Sequence, residues 1–174
     1  MRIWRWVQIV TLAASWYNMG AIWMAQVSWR LFARVGREDF PAYHRAWWFG
    51  PRGIQPVVFP FGIVAILGAF AQLRWHVPRT PTWMAWLNIG FLVTVWGATA
   101  AWWGRQQAQM EYVYQEDHSL NPLYQRLLAT HWIRVALITA SALLQIGMAV
   151  ASARETTSSG EKAPTDAHVM AARM

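Results

Sequence analysis

Four apolar stretches decide what this chain can fold into. Val7–Val27 (21 residues), Val57–Leu73 (17), Trp83–Trp103 (21) and Trp132–Val150 (19) contain no Asp, Glu or Lys, and Arg134 is their single charge. At 1.5 Å per residue they reach roughly 26 to 32 Å, the thickness of a bilayer's hydrocarbon core. One such stretch fits inside a soluble core, but four in 174 residues leave too little polar chain to cover them. Hydrocarbon offers backbone groups no partners, so each span must be a helix. The expected fold is all-α, an integral membrane four-helix bundle over residues 1–151. A polar tail follows over 152–174, where Ser, Thr, Ala and mixed charge predict disorder.

Composition closes the other classes. Hydrophobic residues make up 56% and charged residues 13%, which leaves no room for a disordered chain. The absence of Cys removes a disulfide scaffold, thiolate metal sites, thiol redox chemistry and covalent c-type haem attachment. A net charge of +7 arises because acids are few (8 against 15 bases), and no dense basic face exists for nucleic acid. Arg2 and Arg5 precede an apolar run as in a signal peptide. That run is too long, however, and Trp16, Tyr17 and Asn18 stand where small cleavage-site residues are needed, so it reads as a retained span.

Local signals set the boundaries. Nine of 14 tryptophans lie at span ends (Trp4, Trp6, Trp29, Trp75, Trp83, Trp86, Trp102, Trp103 and Trp132), as an aromatic belt at the membrane interface requires. Thr80-Pro81 and Asn121-Pro122 read as N-cap and N1 of the third and fourth helices. The third helix is expected to run on to about Gln115, with Asp117–Asn121 as its break. An even number of spans puts both termini on one side, face A. Face B then carries the connections 31–56 and 104–130. Basic residues divide seven to seven between the faces, so the positive-inside rule gives no orientation. A short Arg74–Thr80 turn and a polar tail favour cytoplasmic termini.

Polar chemistry collects on face B, which holds five of the eight acids, three of the five His and four of the five Tyr. In the fourth helix His131, Arg134, Ser141 and Gln145 share one face, with Tyr124 seven residues earlier. In the first span Gln8, Thr11, Ser15 and Asn18 form another seam. Polar groups facing lipid go unsatisfied, so both stripes should point inward. Gly90, Gly97 and Gly104 recur every seven residues and Glu111 continues the series, which predicts a close helix approach with Glu111 beneath it. Glu38-Asp39-Phe40-Pro41 starts a short helix whose Phe40, Tyr43 and Trp47 form an apolar stripe beside His44 and Trp48. It is expected to lie in the membrane interface between spans 1 and 2, as a lid over the face-B mouth. Phe49–Gly53 then ends it in a turn.

The candidate polar pocket is therefore His44, Glu111, Tyr124, His131 and Arg134, with Arg134 and His131 as the hydrogen-bonding end for an amphipathic or aromatic molecule. His44, Glu111, His118 and His131 have the donor types of a metal site, but no HExxH-like spacing supports one and no metal is assigned. A b-type haem needs His well inside two spans, and only His131 comes close. No phosphate loop, nucleophile elbow or paired intramembrane carboxylates are present. The cofactor stays unassigned.

The run Leu31-Phe32-Ala-Arg-Val35-Gly36-Arg-Glu-Asp39-Phe40-Pro-Ala42-Tyr43-His44 resembles the first-loop pattern of a family of small bacterial four-span membrane proteins, loosely related to the anthrone-oxygenase-like family. Leu128–Arg134 resembles that family's start of the fourth helix, with His131 where Asn is commoner, and Gln55–Val58 with Pro60 also fits. The resemblance covers roughly residues 7 to 151. It implies a four-helix bundle in a bacterial inner membrane; some fungal relatives oxidise anthrones to anthraquinones. Two features depart from the pattern: Ser28 stands where the family often has His, and no Glu occurs among Phe61–Val64. The resulting expectation is an accessory subunit or a bundle that binds a lipophilic small molecule. The alternative is a membrane oxygenase or oxidoreductase acting on a lipophilic aromatic substrate. Expected partners are the bilayer, other membrane subunits or a lipophilic aromatic ligand.

Overall fold

The four apolar stretches are helices in a computed structural model of the chain, which describes residues 3–160, with side chains to residue 153. Helix α1 spans Ile3–Leu31, and a short 3-10 turn follows at Phe32–Arg34. Helix α2 is Phe40–Phe49 and α3 is Ile54–Arg74, a full 21 residues where 17 were expected. Helix α4 covers Thr82–Ala98 and passes through a π turn, Thr99–Trp103, into α5, Gly104–Ala108. Helix α6 begins at Pro122 and is described to Gly160; the rest of the expected tail lies outside the described residues.

Helix α1 packs against α3 and α6, and α4 packs against the same two, so α1 and α4 stand diagonally in a four-helix square. Among the described residues, three stretches are long and apolar enough to cross a membrane: Phe40–Arg74, Thr82–Ala108 and Pro122–Ala153. The 29 residues of α1 are longer than a bilayer needs, but its buried face carries Gln8, Thr11, Ser15, Asn18 and Gln26, which dilute its apolar character. Its outward face is apolar, with Ile9, Val10, Trp16, Trp23, Met24 and Val27 exposed.

Of the expected helix boundaries one holds and two change. The Asn121 cap forms, its Oδ1 accepting the Leu123 N–H at 2.9 Å. Thr80 does not cap: Pro81 is extended (ψ 134°), so α4 starts at Thr82 with the Pro81 carbonyl accepting the Met84 N–H at 3.0 Å. The third helix ends at Ala108, well short of Gln115, because the following backbone finds its partners across a loop instead of along a helix. Asn121 N–H donates to Val113 O and Gln115 N–H to Ser119 O, both at 2.8 Å, while Met110 and Val113 sink into the face-B core.

The glycine seam also fails as drawn. A Cβ at Gly90 or Gly97 would meet nothing within 4 Å. The close approaches lie instead on α3, where a Cβ at Gly62 would strike the Trp96 indole of α4 and one at Gly68 would strike Thr11 of α1. On α2 the face turned to the protein is Phe40, His44 and Trp48, one turn apart each, whereas Tyr43 is exposed. Phe40 and His44 pack on the Phe32 ring, with centroids 5.7 and 6.0 Å away, which fixes α2 over the face-B end of α1.

Candidate functional site

Both polar seams face the interior. Gln8, Thr11, Ser15 and Asn18 of α1 and His131, Arg134, Ser141 and Gln145 of α6 are all buried. Toward face A three carboxamides from three helices close on each other. Gln72 Nε2 donates to Gln8 Oε1 and to Gln145 Oε1, each at 2.9 Å, and Gln145 Nε2 donates back to Gln72 Oε1 at 3.0 Å. At mid-depth Ser141 Oγ donates to Asn88 Oδ1 at 2.6 Å. Both amide atoms of Asn18 and the Ser15 hydroxyl have no partner there. Waters are the usual solution for such groups.

Toward face B the column becomes cationic and aromatic. His131 is fully buried, with Nδ1 2.6 Å from Gln26 Oε1 and its ring against Trp29 at 4.5 Å between centroids, tilted by 38°. One turn further along α6 the Arg134 guanidinium lies 4.5 Å from the Trp103 ring centre and 5.8 Å from that of Trp29, within cation–π range. Both tryptophans are themselves anchored, Trp29 through its backbone and Trp103 through its indole. Tyr124 O–H donates to the Trp29 carbonyl at 2.7 Å, and Trp103 Nε1–H donates to Thr130 Oγ1 at 3.0 Å.

Arg134 is 6% exposed, and no Asp or Glu is buried among the described residues. The ion pair they contain, Arg37–Glu116 at 3.5 Å, lies on the surface. Removing a guanidinium from water without a counter-charge is unfavourable by several kcal/mol, and cation–π contacts offset only about 2 of these. An unpaired buried cation makes Arg134 the candidate functional position of the bundle.

Arg134 lines a small cavity of about 30 Å³, together with Trp29, Val58, Phe59, Trp96 and Thr99. Trp47 and Trp48 of α2 complete its wall, which makes α2 the cover of the face-B end. A groove of about 350 Å³ opens on the outer surface between α3 and the π turn, bounded by Ile63 and Ala100. Trp48, Phe59, Trp96 and Thr99 line both spaces and form the partition between them.

Of the residues singled out in the sequence, Tyr124, His131 and Arg134 gather around Trp29. His131 does not line the cavity, since Gln26 and Trp29 occupy it. His44 forms a separate layer, its Nε2 accepting from Gln107 Nε2 at 2.8 Å. Glu111 falls outside the group: with the helix ended at Ala108 it is exposed, and the helical register that carried it inward does not exist. His118 sits in the 113–121 loop with φ 63°. Among the described residues no three His, Asp or Glu side chains come together as metal ligands.

Several site residues were not singled out in advance. Gln26, 18 residues or about five turns beyond Gln8, and Trp29, two heptads beyond Ser15, continue the α1 seam, a signal that was available. Trp29 and Trp103, taken as interfacial, are 2% and 3% exposed. For Trp103 the cause is the π turn. Buried positions step from Ala85 through Asn88, Leu92 and Val95 to Thr99 and would next reach Trp102. The Gly104 N–H donates five residues back to Thr99 O, which adds one residue to the turn and brings Trp103 inward, leaving Trp102 41% exposed.

Fold and site together define a helical bundle of membrane-crossing proportions with a cationic, tryptophan-walled recess at one end. No protein-family model, curated protein or solved structure matches the chain.

Proposed function

We propose that this chain is an integral membrane bundle of four spans (α1, α3, α4 with α5, and α6) that holds a lipophilic small molecule at its face-B end. The observation that carries this reading is the cavity beside Arg134 and its thin aromatic partition from the α3–α4 groove. Ligand sites are mostly apolar recesses with a few convergent polar groups, often between the helices of a bundle. Counting α1 as a span is supported by its apolar outward face between Arg5 and Arg30, since Gln8, Thr11, Ser15, Asn18 and Gln26 turn inward. Helix α2, with Tyr43 and Phe49 exposed, suits the membrane interface as a lid. The resemblance of residues 31–44 and 128–134 to small bacterial four-span proteins agrees with an inner-membrane location, and the short Arg74–Thr80 turn favours cytoplasmic termini.

The test is mass spectrometry of organic extracts from the chain purified in mild detergent. A lipophilic compound near one equivalent should accompany the native chain. It should be absent from Val58→Trp, which fills the cavity, while that variant stays monodisperse and helical. An empty native chain, to which added lipophilic compounds give no thermal stabilisation, overturns the reading.

A further inference from the structure

The character of the head group that this site accepts follows from its polar lining. Three residues that line the cavity each carry a buried polar atom without a partner: Trp29 Nε1, Trp96 Nε1 and Arg134 Nε. All three are N–H donors, and an indole N–H cannot accept. Of the other lining side chains, Trp47 and Trp48 also bring only N–H donors, and Thr99 already donates its hydroxyl proton to Val95 O at 2.7 Å, which leaves only its oxygen lone pairs. The wall of the cavity thus holds donors in excess and a permanent positive charge. A ligand that brings another donor or a cation would worsen both deficits. One that brings acceptor oxygens and a negative charge satisfies them, because hydrogen bonds to an ionised acceptor are the strong ones.

Size narrows the class further. A water needs roughly 10–15 Å³ of such space, so a cavity of about 30 Å³ takes two oxygen-sized groups and no carbon body. The body must lie elsewhere, and the adjoining groove of about 350 Å³ is walled by Phe59, Ile63, Trp96 and Ala100. That groove opens on the side of the bundle, so its occupant arrives from the hydrocarbon and not from water. A molecule that spans both spaces must displace the partition. Trp96 rests against the bare backbone of Gly62 and meets the Phe59 ring edge-on, 5.6 Å between centroids. The π turn beside it exposes an irregular stretch of backbone at the groove's edge, as π turns at ligand sites often do.

We propose that the bound molecule is a lipophilic carboxylic acid, its ionised head on Arg134 and its apolar body in the α3–α4 groove. This deepens the small-molecule reading and rests on it.

The two can be separated with one experiment on the full chain in zwitterionic phosphatidylcholine nanodiscs. Palmitic acid bearing a chain diazirine is photolysed beside the matched diazirine hexadecanol, and labelled peptides are mapped. The acid should label α3 around Phe59–Ile63 and the segment Trp96–Ala100 at least about tenfold more than the alcohol, the ratio one charge-assisted contact supplies. In Arg134→Gln that ratio should fall to near one, and Arg134→Lys should keep most of it. Excess oleate should displace the label if the native body is an alkyl chain, and excess 2-naphthoate if it is aromatic. Displacement by neither overturns the proposal. Equal labelling of these segments by acid and alcohol in the native chain overturns the carboxylate inference and leaves a lipophilic site standing. Labelling no stronger than at the lipid-facing Leu67 of α3 overturns both. The acid-to-alcohol ratio is read on the native chain, so a folding failure in the variants cannot mask the outcome.

Discussion

Replacing Gln72 by Met tests whether the glutamine triad holds α1, α3 and α6 in register. Gln72→Met keeps the length and approximate volume of the side chain but deletes all its hydrogen bonding. It removes two donated bonds at 2.9 Å and one accepted at 3.0 Å. In membrane bundles such bonds average about 0.6 kcal/mol each, which sets a lower figure of about 2 kcal/mol for the three. Gln8 and Gln145 are 4% and 0% exposed; Gln8 Nε2 keeps its 3.3 Å bonds to Gln145, but Gln8 Oε1 and Gln145 Nε2 are stranded with no water to turn to. At about 1–3 kcal/mol per stranded group, the expected loss is about 2–6 kcal/mol. Replacing all three glutamines by Met strands nothing. The triple variant should therefore be less destabilised than Gln72→Met alone, reversing the order that additivity requires. The assay is reversible unfolding in mixed dodecyl maltoside and dodecyl sulfate micelles, followed by circular dichroism. A Gln72→Met variant within about 0.5 kcal/mol of the native chain would refute the reasoning, as would a triple variant that loses the sum of the single changes.

Further outcomes follow from other contacts. Gly62→Val forces a side chain into the Trp96 indole and should lose about 1–3 kcal/mol, most of it recovered when Trp96→Leu is added; thermal melts in detergent give both numbers. Tyr124→Phe deletes the 2.7 Å bond to the Trp29 carbonyl and should lower stability by about 1 kcal/mol, with faster hydrogen exchange at the end of α1. Unchanged exchange there would show that the bond does not hold the helix end. In the 113–121 loop, Ser119 donates its hydroxyl and its N–H to Asp117, at 2.6 and 3.0 Å, and these bonds hold the carboxyl below its usual range. A depressed folded value means the loop contact is present above the ordinary carboxylate pKa of about 3.9 and is lost as pH falls through the lower folded value. The Ser119 amide resonance should therefore titrate with a midpoint below that of an unstructured Asp, and a midpoint at or above it counts against the turn.

What could be read in advance was whatever solvation dictates residue by residue. Gln8, Thr11, Ser15 and Asn18 had to turn inward because hydrocarbon leaves a carboxamide or hydroxyl unsatisfied, and they do. The same reasoning set His131 and Arg134 on the inner face of α6 and made Asn121 a cap. Gln72 shares α3 with no other polar residue but Gln55, 17 positions away, and the terminal Arg74, so no periodic partner singled it out, and its role appears only where Gln8 and Gln145 meet it.

Glu111 and Trp103 mark the limit of that reasoning. Glu111 was placed by extending an ideal helix and Trp103 by its position at a span end; a π turn carried Trp103 inward, and an early helix end at Ala108 left Glu111 outside. The sequence by itself determined the helices, their apolar lengths and the inward polar seams, because those depend on each side chain's preference for lipid or interior. Only the tertiary structure decided which tryptophans enclose Arg134, that no carboxylate among the described residues reaches it, and that a cavity lies beside it. Those outcomes depend on the register between helices. Register is set by volume and backbone geometry at contacts such as Gly62 with Trp96, which no periodicity along one strand of sequence encodes.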